Sequence, residues 1–284
     1  MTVSHPPLDE ILKLMLRALF LLSLVVFFFT TTRSVSADPQ GSSTPFRVCA
    51  DPNNLPFSNS KQEGFENKIA ELLADEFHSE PQYTWWPQRR GFLRSTLNAG
   101  ICDVVMGIPV NVDALLTTEP YYRSTYVFVA PQTAGRQIVS FDDPALRHMK
   151  IGVHLIGDDY ANSPPAHILA EKGIVNNVVG YSVFGNYGED SPPGKLVQAV
   201  ADGEVEVAIV WGPIAGYFAK RQAKPLSLVA VPTNESSANL PLTYSIALGV
   251  RKTDAALKAK LDEALQRKTA EIHKILEAYG VPLL

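Results

Sequence analysis

The sequence predicts an α/β protein of two lobes with a ligand cleft between them, and three observations predict it. Short apolar strands alternate with amphipathic helices along most of the chain, the pattern of β-α-β units. Two segments superpose without a gap: Leu97-Asn-Ala-Gly-Ile-Cys-Asp-Val-Val-Met106 and Val200-Ala-Asp-Gly-Glu-Val-Glu-Val-Ala-Ile209. Each gives a helix end, a glycine, two residues, an acid and an apolar strand, so one plan occurs twice. Polar, turn-rich crossings at 131–147 and 232–239 interrupt the pattern, which makes lobe 1 discontinuous (46–133 with 235–284) and lobe 2 (134–234) an insertion. The natural ligand position in such an architecture is the cleft between the lobes. With 284 residues, 46% of them hydrophobic and 19% charged, the chain can bury the cores this requires.

The amino end is set aside first. Lys13 and Arg17 precede an apolar run from Ala18 to Phe29, and Val35-Ser36-Ala37 supplies small residues for a signal peptidase. A bilayer span needs roughly 20 apolar residues, so residues 1–37 read as a cleaved signal peptide followed by a linker, 38–45. Cleavage removes three basic and two acidic side chains and leaves 22 Lys+Arg against 27 Asp+Glu. An acidic balance gives nucleic acid no basic footprint. The mature chain is expected to be an exported, periplasmic, monomeric protein with no membrane segment.

In that oxidising space Cys49 and Cys102 make a disulfide the obvious proposal. If their strands are parallel neighbours with aligned ends, the sulfurs are offset by roughly 10 Å. The reading therefore favours two buried thiols and leaves the bridge open.

In chain order, the strand from Phe46 runs into the shaped loop 51–59, and Phe65, Ile69, Leu72, Leu73 and Phe77 then mark one buried helix face with acids near its start. Tyr83 to Trp86 suit a strand that Pro87 ends. Leu93 and Leu97 share a helical face that Gly100 stops, and 103–107 is a buried strand. Ser124 to Ala130 is an apolar strand. In lobe 2, strands start at Met149, Val178 and Val205, with helices at 166–172 and from Lys195. A strand over 243–250 and helices carrying Leu257, Leu261, Leu265, Ile272, Ile275 and Leu276 finish the chain.

The series GFENKIAELLADEF, AGICDVVMG, TTEPYYRSTYVFVA, KIGV, ADGEVEVAIVWGPIAGYFAK and SIALGVRKTDAALKAKLDEALQ resembles the extracellular solute-binding proteins of bacterial importers, amino-acid-receptor type, over residues 46–281. FRVCADPNNLPFSN, TWWPQRRGF, CDVVMGIP and PYYRSTYVFV are similar, more narrowly, to the quinoprotein-dehydrogenase-associated branch (MxaJ/XoxJ-like). The resemblance implies the type II periplasmic-binding-protein fold and a PQQ-dependent methanol dehydrogenase as partner; neither an enzymatic activity nor a cofactor of its own is expected. Amino-acid receptors place an arginine after the third strand for the ligand carboxylate and an acid late in lobe 2 for its ammonium. Here those regions read Ile108-Pro-Val-Asn111 and Val210-Trp-Gly-Pro213, without either charge.

Strand-end loops bring Asn53, Asn54, Phe57, Trp86, Gln88, Arg89, Ile108, Pro109 and Tyr121 toward the cleft from lobe 1, and Gly157, Asp158, Asn186 and Trp211 from lobe 2. Aromatic walls, amides and one arginine suit an uncharged or anionic planar ligand, or a peptide loop of a partner. The bland alternative packs Trp85 in the core and leaves the asparagines as turn formers. The carboxylates of Asp158, Asp159, Glu189 and Asp190 match no cation-loop spacing and read as a solvated rim. The histidines form no metal-spaced pair, and His154 reads as structural. Nucleophile elbows and phosphate loops do not occur, so catalysis has no positive support.

Overall fold

The computed structural model describes Asp9 and residues 44–133, 135–156, 162–183, 187–232 and 240–284. The signal-peptide reading of residues 1–37 falls outside the described residues apart from Asp9. So do Gly157, Asp158, Asp159 and Asn186. Among the described residues no helix is long and apolar enough to cross a membrane.

Residues 44–284 form one unit. Along the chain they give β1 (Phe46–Ala50), a hairpin of β2 (Asn53–Asn54) and β3 (Ser58–Asn59), α1 (Phe65–Glu76), β4 (Pro81–Trp85), α2 (Phe92–Ser95), β5 (Val104–Pro109), β6 (Leu116–Thr117) and β7 (Tyr122–Pro131). Then come β8 (Ile151–Leu155), α3 (Pro164–Glu171), β9 (Val178–Ser182), α4 (Lys195–Asp202), β10 (Val207–Trp211), α5 (Gly212–Ala219) and β11 (Leu226–Ala230). The last elements are β12 (Thr243–Val250), α6 (Ala255–Arg267) and α7 (Thr269–Ala278). The strands lie in the order β4-β1-β5-β12-β7-β10-β8-β9, with β11 also on β7 and β6 on β12.

One strand joins the two halves. Residues Tyr122–Thr125 of β7 pair with β12, whereas Tyr126–Val129 pair with β10 and Val127–Pro131 with β11. The change of partner falls between Thr125 and Tyr126, inside a continuous strand.

Each half is covered on both faces, as the parallel sets β4-β1-β5 and β10-β8-β9 require. In the first half Phe65, Ile69 and Leu73 of α1 pack with Leu261, Ile272 and Leu276 of α6 and α7 over Val48, Val104 and Leu248. Its other face holds Phe92, Leu97, Val105 and Leu115 around the two cysteines. In the second half Phe141, Leu146, Ile168 and Leu169 cover one face and Leu196, Val200 and Ile214 the other.

The repeat is reproduced bond for bond. Gly100 and Gly203 both adopt the left-handed conformation, φ +73° and +78°. Asp103 N donates to Arg47 O and Glu206 N to Lys150 O, each at 2.9 Å. Parallel pairing then sets Val48 beside Val104 and Ile151 beside Val207. The helix expected before Gly100 is shorter than its pattern implies, because Thr96 Oγ1 donates to Phe92 O and Arg251 takes Leu97 O at 3.0 Å. Leu97 stays buried.

The preference for two thiols is overturned: Cys49 and Cys102 are bonded, with Cα atoms 5.4 Å apart. Cys49 does lie opposite Val105, as aligned strands require. Cys102, however, precedes β5 in a bent segment that folds back over β1, so an offset counted along an extended strand does not apply.

Candidate functional site

The carboxyl ends of the first-half strands and the loops of the second half enclose a cavity of about 340 Å³. Its lining is largely aromatic and aliphatic: Phe57, Tyr122, Tyr126, Trp211, Ile214, Tyr244 and Ile246 among others. Strand parity supplies these side chains. Tyr122 and Tyr126 lie on one face of β7, Tyr244 and Ile246 on one face of β12, and Gly107 and Pro109 on one face of β5. Tyr126, Trp211 and Tyr244 form a run of edge-to-face rings with centroids 5.4 and 5.7 Å apart.

Five expected residues line this cavity: Asn54, Phe57, Gln88, Pro109 and Trp211. Asn54 Nδ2 donates to Gln88 Oε1 at 3.3 Å, tying the β2–β3 loop to the loop after β4. Asn53 and Arg89 sit instead in a set of contacts between the halves. Asn53 Nδ2 donates to Glu189 O at 2.7 Å and its Oδ1 accepts from Ser191 N at 3.3 Å. Tyr187 Oη donates to Asp51 Oδ2 at 2.7 Å, and the Arg89 guanidinium lies 5.2 Å over the Tyr187 ring. Buried Asp51 also accepts from Asn53 N and Gln88 N, so one carboxylate organises both loops.

Three more expected residues lie off the cavity lining. Ile108 packs with the disulfide on the far face of β5, and Tyr121 is buried in the first-half core; each is one residue from a lining side chain. Trp86 is 44% exposed, and its backbone N–H continues the sheet to Ala50 O.

The polar groups facing the cavity were the least visible in the sequence. Glu66, in the first turn of α1, is 7% exposed and makes no side-chain hydrogen bond or ion pair among the described residues. Burial without a counter-charge pushes its carboxyl up to about 8, so it is mostly protonated at neutral pH. Gly107 makes room for it: φ is +69°, and an added Cβ would fall 2.2 Å from Glu66 Oε1. Burial and then Glu66 raise the neighbouring Tyr122 phenol. Ser163, 1% exposed before α3, leaves its Oγ without a partner. His154 is buried; burial pushes it down to about 4, and its Nε2 lies 3.2 Å from Pro193 O. A carbonyl only accepts, so Nε2 carries the proton and Nδ1 is the acceptor. Among the described residues no lysine or arginine lines the cavity. Among the described residues no group of three His, Cys, Asp or Glu could hold a metal ion.

The family profile of the bacterial extracellular solute-binding proteins, family 3, matches residues 46–282. The chain belongs to this family. Protein MoxJ of Paracoccus denitrificans is 33% identical to this solute-binding protein over 257 residues, 85% of this chain and 90% of the relative. The crystal structure of the periplasmic binding protein XoxJ from Methylobacterium extorquens AM1 has 34% identity and a TM-score of 0.69, over 84% of this chain and 99% of that one. That of MxaJ from Methlophaga aminisulfidivorans MPT has 28% identity and a TM-score of 0.71, over 84% and 100%. The two-lobed type II periplasmic-binding-protein fold follows from these matches together with the sheet order.

Proposed function

We propose that this solute-binding protein is a non-catalytic, periplasmic accessory of methanol oxidation that assists or matures a PQQ-dependent methanol dehydrogenase. The observation that carries the reading is its likeness, over more than four-fifths of the chain, to proteins named MoxJ, XoxJ and MxaJ. The cavity supports it from the other side. Pro109 and Trp211 line the regions where an amino-acid receptor carries its two charged clamps, and neither can bind a zwitterion. PQQ, with three carboxylates, would meet a carboxyl at Glu66 and no lining cation, because Lys195 is paired with Glu189 and Arg89 lies over Tyr187. The accessory role is therefore assigned to contact with the dehydrogenase polypeptide rather than to carriage of PQQ.

Cleavage after Ala37, a discontinuous first lobe with the second inserted in it, and a monomer between encounters are proposed along with this role. Deleting the gene and measuring methanol dehydrogenase activity and PQQ occupancy in periplasmic extract tests it. Loss of activity restored by the wild-type gene is expected, and unchanged activity and occupancy would overturn it. One observation favours a second reading, substrate binding for an importer of a small non-amino-acid solute: the cavity is bridged by contacts between both halves, as a receptor's is.

A further inference from the structure

We propose that the cavity is a binding site for an alkylammonium group, with Glu66 as its counter-charge and Phe57, Tyr122, Tyr126, Trp211 and Tyr244 as its walls. Two independent features point to a ligand. A carboxyl nine-tenths buried, with no donor or cation on it among the described residues, is a costly arrangement that a cationic guest would relieve. The same lining holds a continuous run of three rings, Tyr126, Trp211 and Tyr244, aromatic groups whose faces carry the negative quadrupole that attracts a desolvated cation. Among the described residues the lining holds no lysine or arginine to compete, and Ser163 Oγ has no partner there, leaving it for a hydroxyl or amide on the same guest.

An alkylammonium can come from a free small molecule or from a lysine on a dehydrogenase segment. The second source rests on the proposed function; the first does not. Binding is measured on the purified protein alone, so a negative result here leaves the dehydrogenase reading standing, and the reverse holds.

Proton linkage gives a readout that packing alone would not move. The titratable groups near Glu66 are Tyr83, Tyr121 and Tyr122, all raised above their ordinary range, with His154 also on the lining and neutral. Glu66 is then the group that must ionise when a cation enters, so binding at pH 7 should release about one proton and tighten as pH rises to 8.

The test is calorimetry at pH 7 in two buffers of different ionisation enthalpy. Choline is compared with its uncharged isostere 3,3-dimethylbutan-1-ol, and Nα-acetyl-lysine N-methylamide reports the peptide source. A cation should bind about thirtyfold more tightly than the isostere, the ratio expected of a desolvated cation–π contact. Preference for choline identifies the free cation as the source, and preference for the lysine amide identifies the segment. Glu66→Gln, which keeps the shape of the protonated acid, should abolish the proton release and reduce the preference while its unfolding curve stays cooperative. Trp211→Leu should weaken the cations more than the alcohol. Equal affinity for choline and its isostere, retained cation affinity in Glu66→Gln, or no binding by any probe would overturn the proposal.

Discussion

Glu66 shows how a single side chain can be placed by its neighbours' absences. Gly107 has no Cβ to exclude it, no cation reaches it, and its carboxyl therefore keeps a proton up to about pH 8. The folded state then holds a proton that the unfolded chain releases near 4.5. Between those values the native state binds more protons, so stability should fall as pH rises, by about 1.4 kcal/mol per unit, and level off above about 8. Urea midpoints of wild type and Glu66→Gln at pH 5, 6, 7 and 8 check this. The wild-type curve should decline relative to the variant, and parallel curves would place the titration elsewhere. In the sequence Glu66 reads only as an acid suited to a helix start. That its side chain turns inward depends on Gly107, 41 positions later. Parity explains one neighbouring miss: Ile108 is on the right strand end but on the wrong face, since one residue's shift reverses the side of a strand, whereas Tyr121 precedes β7 and packs in the same core as Tyr122.

At the scale of elements, the repeat carries more than the sequence comparison drew from it. The repeat sets Cys102 on Val205, a position that suits an apolar side chain. The same alignment sets Cys49 on Gly152, where an added Cβ would come within 3.3 Å of Val205 Cγ2. The position pair is thus a contact in both lobes, and only in the first is it a covalent one. Closing a 53-residue separation restricts the unfolded chain by about 4 kcal/mol in the loop-entropy estimate. Cys49→Ala with Cys102→Val should lose most of that in denaturant unfolding under oxidising conditions, while reductant should lower the wild type and leave the double variant unchanged. A second element contact was not legible at all. Gly216 of α5 lies against the turn after α7, where a Cβ would fall 1.8 Å from Gly280 O. Gly216→Ala should cost about 1–3 kcal/mol, seen as a lower Tm, because two backbones must separate. A local pattern cannot announce a contact 64 residues distant.

Over the whole molecule, the two-lobe plan was readable because doubling leaves a trace in the sequence, whereas the way the lobes join was not. The polar crossing at 131–147 marks where the chain leaves regular structure, yet the handover of partners occurs inside β7, which is uniformly strand-like in sequence. A continuous strand between the halves makes Tyr122–Pro131 the natural flexing element, with the mouth held by the contacts of Asp51 and Asn53 to Tyr187, Glu189 and Ser191. Each of those three hydrogen bonds contributes about 1 kcal/mol, so removing all three should shift an open–closed balance by roughly 150-fold toward open. Tyr187→Phe combined with Asn53→Ala leaves the cavity lining untouched. In small-angle scattering the pair should raise the radius of gyration of the unliganded protein, and it should speed dissociation of a bound guest without abolishing binding. An unchanged radius with unchanged dissociation would mean that the lobes are held by β7 and the apolar walls rather than by the mouth.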